Sequence, residues 1–307
     1  MGNKLIKDRW FNLQLRKFGS CFFVLFLVTG FSFGLFAKSV NFNKNEKNFL
    51  IQEFKSEVFS QIYLNKIFYH SKLKKISIVV EKNIVNLDPV DHYKDFLSPY
   101  SIYLGSRFLK RWRTLLKRAS QKYLVNKELI VAILLVETGL GNVMGDFPVI
   151  SVFSSIIVEY ENRKIKMATT EKPTERQIYE LKRLSRKDRW ARNQMKALLT
   201  IIMRQKQSPF YYKGSYAGAF GIPQFLPTSY LKWGIDSDNS GSVNLYWYPD
   251  SIYSVANYLK EHGWKPGLSI EEQEKVIWEY NHSKTYVDTI LKAAGKLKIR
   301  NGKYTKK

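Results

Sequence analysis

A mainly α-helical fold is predicted by three features of this chain. Apolar residues recur at the three-to-four-residue spacing of a helix face through most of its length. Convincing strand alternation is scarce. Start and stop signals such as Ser98–Pro99 and Gly263 bracket the periodic stretches.

The elements follow in order. Asn41–His70 carries Phe49, Phe54, Val58 and Ile62 at helical spacing, with Lys and Glu between them. Lys72–Asp91 is mixed and is assigned to no element. Ser98–Pro99 opens a helix, and Tyr103–Tyr123 is amphipathic and strongly basic. Glu128–Thr138 is apolar almost all round, the mark of a buried helix. Val152–Tyr160 reads as another helix. Arg163–Arg186 is highly charged, contains one Pro, and reads as an exposed insertion, a lid or a surface contact patch. Asp188–Lys206 is an amphipathic helix through Trp190, Met195, Leu198, Leu199 and Ile202. Pro249 and Asp250 precede a helix over Ser251–His262 that Gly263 ends. Ile270–Tyr280 and Tyr286–Leu297 are two more, and Arg300–Lys307 is a basic polar tail.

Composition bounds the function. The 307 residues are 45% hydrophobic, enough to bury a sizeable core. With 20 Phe, 19 Tyr and 7 Trp the chain is not disordered, and Tyr and Trp also suit a groove for flat ligands such as sugars. A net charge of +24 favours polyanionic partners, although a Lys-rich composition alone gives the same balance. No helix-turn-helix pattern, Cys/His zinc spacing or RNA-binding aromatic box is present, so no nucleic-acid partner is expected. His70, His92, His262 and His282 show no metal spacing, and His262 fits a helix C-terminal cation. The single cysteine, Cys21, excludes an intramolecular disulfide.

The N-terminus reads as a targeting segment. Lys4, Lys7, Arg9, Arg16 and Lys17 precede the apolar stretch Cys21–Phe36, and Ala37 then introduces a polar run. This is the plan of a secretion signal. The apolar stretch is at the lower limit for spanning a bilayer, and Leu35 fits the small-x-small cleavage rule poorly, so an uncleaved membrane anchor is the alternative. Either reading places the body outside the cytoplasm, in the periplasm or cell envelope.

Chemistry enters with Glu137, the only acidic residue in the otherwise apolar run Leu129–Thr138, which Gly139 and Gly141 then break. A charged, unpaired carboxylate buried there would cost several kcal/mol. Desolvation should raise its pKa and keep it protonated near neutral pH, as a general acid requires. A second run, Ser215–Phe225, is rich in small residues that let a backbone approach a ligand closely, and Gln224 offers both a donor and an acceptor. A third, Glu279–Tyr286, sets Tyr280–Asn281 at a helix end.

Taken together these runs resemble the lytic transglycosylases, in detail the membrane-bound lytic transglycosylase B family. The resemblance is carried by VAILLVET with Gly139, Gly141, Met144 and Gly145, by KGSYAGAFGIPQFLPTSY (Lys213–Tyr230), by SVANYLKEHGW (Ser254–Trp264) and by YNHSKTYV (Tyr280–Val287). It extends from about Phe96 to Leu297. It implies a lysozyme-like α-helical fold that cleaves the MurNAc–GlcNAc β-1,4 bond of peptidoglycan glycan strands without water. Glu137 would be the single catalytic carboxylate, and Ser215, Gln224, Tyr258, Tyr280 and Asn281 would line the sugar groove. No cofactor or catalytic metal would be required. The implied organisation is a signal or membrane anchor at 1–37, a helical extension at 38–95, a catalytic domain at 96–299 and the tail at 300–307.

A candidate calcium loop follows Ile235. Counting Asp236 as position 1, Asp238 and Ser240 stand at 3 and 5, Gly241 at 6, and the Ser242 carbonyl at 7, which is how an EF-hand loop begins. Position 12 is Trp247, which cannot ligate, so Asp250 at position 15 would have to close the site. The resembled family has a similarly lengthened loop, and any ion here would be structural. An Asp/Asn/Ser/Gly turn without metal is the alternative.

Two further readings compete with the transglycosylase. A muramidase-type hydrolase on the same fold needs a second carboxylate to position water, with Asp146 and Glu159 nearest in sequence. A non-catalytic peptidoglycan-binding scaffold would have no need of the intact set Glu137, Gln224, Tyr280 and Asn281.

Overall fold

The computed structural model describes residues 39–84 and 93–304; the expected signal or anchor at 1–37 and His92 lie outside these. From the N-terminus the elements are β1 (Ser39–Asn41), α1 (Lys44–Phe54), α2 (Gln61–Phe68), β2 (Lys74–Ile76), α3 (Ser77–Ile84), a 3-10 turn (Lys94–Leu97), α4 (Pro99–Arg111), α5 (Arg113–Tyr123) and α6 (Lys127–Thr138). There follow β3 (Phe147–Pro148), α7 (Val149–Ala168), α8 (Glu175–Gln205), β4 (Lys213–Gly214), α9 (Pro227–Trp233), α10 (Tyr248–Glu261), α11 (Ile270–Tyr280) and α12 (Lys284–Tyr304). Strands are confined to two antiparallel pairs, β1–β2 with Val40 opposite Lys75, and β3–β4 with Phe147 opposite Gly214. The mainly helical expectation therefore holds.

Local chemistry sets the boundaries. Asn43 and Glu46 form a capping box that starts α1. Lys55 then leaves helical geometry and Ser60 caps α2, which splits the single helix expected over Asn41–His70. Ser98 caps α4 with Pro99 in its first turn, as its sequence predicts. Trp112 breaks the long basic run into α4 and α5.

Arg163–Arg186 is not a separate insertion. α7 runs on through Ala168, Pro173 falls in the turn, and a Thr174–Gln177 capping box starts α8. The charges are those of a solvated helical hairpin, laced by Arg163–Glu159, Arg163–Glu180 and Arg176–Glu180 ion pairs. The polar tail is likewise helical to Tyr304, as the last turns of α12.

Two hydrophobic cores form. One joins Phe42, Leu50, Phe54, Leu64, Phe68 and Val79 to Val152, Phe153 and Ile156 of α7 and Leu198 and Ile202 of α8. The other packs α4, α5 and α6 against α10, α11 and α12 through Leu116, Ile130, Ile133, Ile252, Leu259, Ile277 and Ile290. Apolar residues of 39–84 are thus part of the first core. Polar ties reinforce this: the Ile76 N–H donates to Ser155 Oγ at 2.9 Å, and Tyr63 Oη donates to the Leu199 carbonyl at 2.8 Å. Among the described residues no helix is long and apolar enough to cross a membrane.

A chain of residues 93–307 would expose the apolar faces of α7 and α8 that α1–α3 cover. It is expected to lose cooperative thermal unfolding, while a chain of residues 39–307 keeps it. Calorimetry on both decides, and a cooperative transition in 93–307 would make the first ninety residues dispensable.

Candidate active site

Glu137 lies one residue from the end of α6, where Leu129–Val136 are all buried. Gly139 takes left-handed geometry (φ 56°), which favours glycine, and stops the helix. The Gly139 and Leu140 N–H groups close the end by donating to the Leu135 and Leu134 carbonyls, both at 2.9 Å. Thr138 fixes where that end sits. Its Oγ1 donates to the Ile222 carbonyl at 2.8 Å and accepts from the Gly141 N–H at 2.9 Å.

Ile222 belongs to the small-residue run, which forms the facing wall. Ser215 N–H donates to the Ala219 carbonyl, and the Phe220 and Phe225 N–H groups each donate to the other's carbonyl. A Cβ on Gly214 would fall 1.9 Å from the Ala219 carbonyl oxygen, so only glycine permits this tight course. Gln224 is held at φ 51°, a conformation uncommon for a side-chain-bearing residue. Its Nε2 donates to the Gly221 and Met144 carbonyls at 2.9 and 3.1 Å, which leaves Oε1 as the atom it can offer a ligand.

A cage of tyrosines surrounds the carboxylate. Tyr286 Oη donates to Glu137 Oε1 at 2.7 Å. Tyr280 stacks on Tyr286 with centroids 6.3 Å apart, and Tyr93 meets Tyr286 edge-on at 6.0 Å. Glu137 is itself partly accessible, yet its surroundings are dense enough that burial raises its pKa to about 7, against the opposing pull of the Tyr286 hydrogen bond. Tyr93 is pushed up to about 12, chiefly by burial and then by the Glu137 charge, with an Asn281 hydrogen bond opposing. Burial, and after it the Glu137 charge, also lifts Tyr280 and Tyr286 well above the ordinary phenol range.

The structure brings the anticipated residues together unevenly. Tyr280 and Asn281 stand at the end of α11 against the cage. Tyr280 Oη donates to the Pro223 carbonyl at 2.6 Å, next to Gln224. Tyr258 is one layer back: it is 6% exposed, donates to the Glu279 carbonyl, and supports the Tyr280 ring at 4.8 Å. Ser215 is half-buried, and its Oγ accepts from the Ala219 N–H at 3.3 Å. Two residues given no role in the sequence reading matter here. Tyr286 lies within the YNHSKTYV run, and only the fold shows that it reaches Glu137. Thr138 follows the carboxylate directly. Of the two carboxylates nearest in sequence, Asp146 is exposed and Glu159 is paired with Arg163 at 2.8 Å.

The loop after Ile235 gathers three carboxylates. Carboxylate oxygens of Asp236, Asp238 and Asp250 lie within 4.8 Å of one another, although Asp250 is distant in sequence. Ser240 Oγ donates to the Ser242 carbonyl at 3.2 Å and to Asp236 Oδ1 at 3.3 Å. Loop N–H groups of Ser237, Gly241 and Asn244 donate to Asp250 and Asp236 at 2.7–2.9 Å.

The helical fold is shared with solved lytic transglycosylases. The soluble lytic transglycosylase SltB1 from Pseudomonas aeruginosa superposes with a TM-score of 0.69 at 22% identity, over 84% of this chain and 99% of that one. SltB3 from the same organism, solved in complex with NAG-NAM-pentapeptide, gives 0.67 at 18% identity, over 83% of this chain and 79% of that one. The pattern of the transglycosylase SLT domain matches residues 41–276, and the chain belongs to that family. The match takes in α1–α3 as well, earlier than the motifs reach. Membrane-bound lytic murein transglycosylase B of Escherichia coli (strain K12) is 31% identical over 174 residues, which are 57% of this chain and 42% of that protein. The chain thus spans less than half the length of that relative.

Because the folded pKa of Glu137 lies above its ordinary value of 4.5, folding favours the protonated form, and stability is lost as pH rises from about 4.5 to about 7. Glu137→Gln, which cannot ionise and can still accept from Tyr286, is expected to stabilise the protein by up to about 3 kcal/mol at pH 8 and by little at pH 4. Urea unfolding at both pH values checks this. A stabilisation independent of pH would mean that the carboxylate is not desolvated.

Proposed function

We propose that the protein is a lytic transglycosylase that cleaves the MurNAc–GlcNAc β-1,4 bond of peptidoglycan and leaves 1,6-anhydroMurNAc ends. The observation that carries this reading is Glu137: a carboxylate with its pKa raised to about 7, held by Tyr286 and set in the tyrosine-lined cleft. Protonated Glu137 gives its proton to the glycosidic oxygen, and the C1–O bond breaks as positive charge develops at the MurNAc anomeric carbon. The substrate's own N-acetyl group stabilises that charge, as in substrate-assisted glycosidases. Ionised Glu137 then takes the proton of the C6 hydroxyl, whose oxygen bonds to C1 and closes the anhydro ring. The proton count balances, and no water enters. Gln224 Oε1, the Asn281 amide and the faces of Tyr280 and Tyr93 are proposed to hold the sugars.

Mass spectrometry of muropeptides released from purified sacculi tests the reading. Products ending in 1,6-anhydroMurNAc are expected, and products one water heavier would make the protein a hydrolase. Glu137→Gln should lose about 10²–10⁴-fold in turnover while still binding sacculi. The rate should fall as pH rises through about 7, where the acid ionises. Tyr286→Phe removes the hydrogen bond that holds this pKa down, so the fall should move to higher pH.

The targeting segment supports export to the periplasm or envelope, with residues 1–37 as signal or anchor. The converging Asp236, Asp238 and Asp250 carboxylates and the Ser242 carbonyl suit a hard oxygen-ligated cation, so the loop is proposed to hold a structural Ca²⁺. Excess Ca²⁺ should then raise the melting temperature, and Asp250→Asn should abolish the rise. An unchanged melting temperature in the parent chain would leave the loop a metal-free turn.

A further inference from the structure

From Ser98 to Lys127 the chain contains no acidic residue. Arg107, Lys110 and Arg111 on α4 and Arg113, Lys117, Arg118 and Lys122 on α5 fall in this stretch, and all are exposed. The opposite sides of both helices are fixed in the second core through Ile102, Phe108, Leu116 and Ala119. Lysine enrichment does not explain the cluster, because Arg107, Arg111, Arg113 and Arg118 are arginines. Helix stability explains only part of it. Cations near a helix C-terminus complement its dipole, which accounts for Lys110, Arg111 and Lys122. Arg113 stands at the other end, in a first turn without an acidic residue, where the dipole favours an anion.

These charges are not neutralised within the fold. Among the described residues, the ion pairs formed involve none of them. Glu128 pairs with Lys127 at 3.9 Å. Glu261 raises the pKa of Tyr123 after burial and Tyr253, and it is offset by Lys260, whose ammonium lies 5.9 Å from the Tyr123 ring.

Leu124 adds an apolar group to this face. It ends α5 in left-handed geometry, φ 56°, and is 57% exposed. Glycine or asparagine would suit both that backbone and water better. A soluble polyanion would satisfy the cations and leave Leu124 in water. A lipid interface satisfies both, with headgroups at the cations and the acyl boundary at the leucine. The charges are spread over two helices, which matches an array of headgroups rather than one anionic group. The face is also separate from the cleft. Leu124 precedes α6 and Glu137 lies in its last turn, so the helix holds them about 18 Å apart.

We propose that α4 and α5 form a peripheral docking face for an anionic phospholipid bilayer, with Leu124 entering the interface. The contact is additional to any made by residues 1–37.

The test measures sedimentation of the full chain with phosphatidylcholine vesicles and with vesicles of equimolar phosphatidylcholine and phosphatidylglycerol. Residues 1–37 are the same in every variant, so differences between variants report on α4 and α5. The parent is expected to bind the mixed vesicles about tenfold more tightly at low salt, a gain largely lost at about 1 M salt. Arg113→Gln with Lys117→Gln and Arg118→Gln should remove most of that gain. Arg113→Lys with Lys117→Arg and Arg118→Lys, which keeps every charge, should retain it. Leu124→Asn should weaken binding to the mixed vesicles about threefold without lowering the melting temperature. An unchanged melting temperature of the triple Gln variant checks that the fold survives. Equal binding to the two vesicles, or a gain that outlasts the triple Gln substitution, would overturn the proposal. A gain undiminished in Leu124→Asn, with equal retention on soluble polyglutamate, would assign the face to an acidic protein and overturn it likewise.

Discussion

Everything in the cleft depends on keeping one carboxylate out of water at the seam of two hydrophobic cores. α6 is apolar on every side because it runs through the second core, and Glu137 is the point where it emerges. Ionisation there is opposed by desolvation and assisted only by one tyrosine hydroxyl. The balance leaves the group titrating near neutrality. A salt-bridge partner in place of Tyr286 would have returned it to the ordinary carboxylate range and removed its capacity to donate a proton.

Such a position must be rigid, and the rigidity comes from the run Ser215–Phe225. Phe220 and Phe225 pack into the first core, while Ile222 packs into the second. Through Ile222 the run grips Thr138, one residue from the acid, and through Pro223 it grips Tyr280. The same short segment thus joins the cores, anchors both walls of the cleft and presents Gln224 in a left-handed conformation. Its dense small residues follow from this crowding: a side chain on Gly218 would meet the Phe153 ring at 2.3 Å. Tyr280 touches both cores, so the tyrosine cage is as much a structural keystone as a substrate surface.

How much of this was legible in the sequence depends on how local its cause is. The acid of α6 stands out because one charge interrupts an apolar run, and that pattern survives without any knowledge of the fold. Ser98–Pro99 and Ile270–Tyr280 were readable because caps act within one turn. The hairpin of α7 and α8 was misread because its charges resemble those of a loop, and only the Thr174–Gln177 cap reveals a helix start after Pro173. Residues 39–84 looked like an appendage because their apolar faces find partners far along the chain, on α7 and α8. Tyr286 was visible within a recognised run, but its role is a contact across 149 positions, which spacing cannot encode. Tyr258 shows the reverse. Its motif suggested a groove residue, and its hydroxyl is consumed by the Glu279 carbonyl behind Tyr280.

The tyrosines also bear on what the site can do. An inverting glycosidase needs a base on the face opposite its acid, and that base must be ionised while the acid is not. The surroundings of Glu137 supply phenols whose own pKa values are driven upward, so they stay neutral and serve as donors and stacking faces. Neutral donors orient a carboxylate and bind a sugar, but they do not deprotonate water at neutral pH. Among the described residues of this cluster Glu137 is the one that titrates near neutrality, and the proposed reaction uses it as acid and then, after it has given up its proton, as base. In the proposed reaction the C6 hydroxyl is delivered by the substrate itself, and a nucleophile already attached to the sugar needs no further protein group to place it.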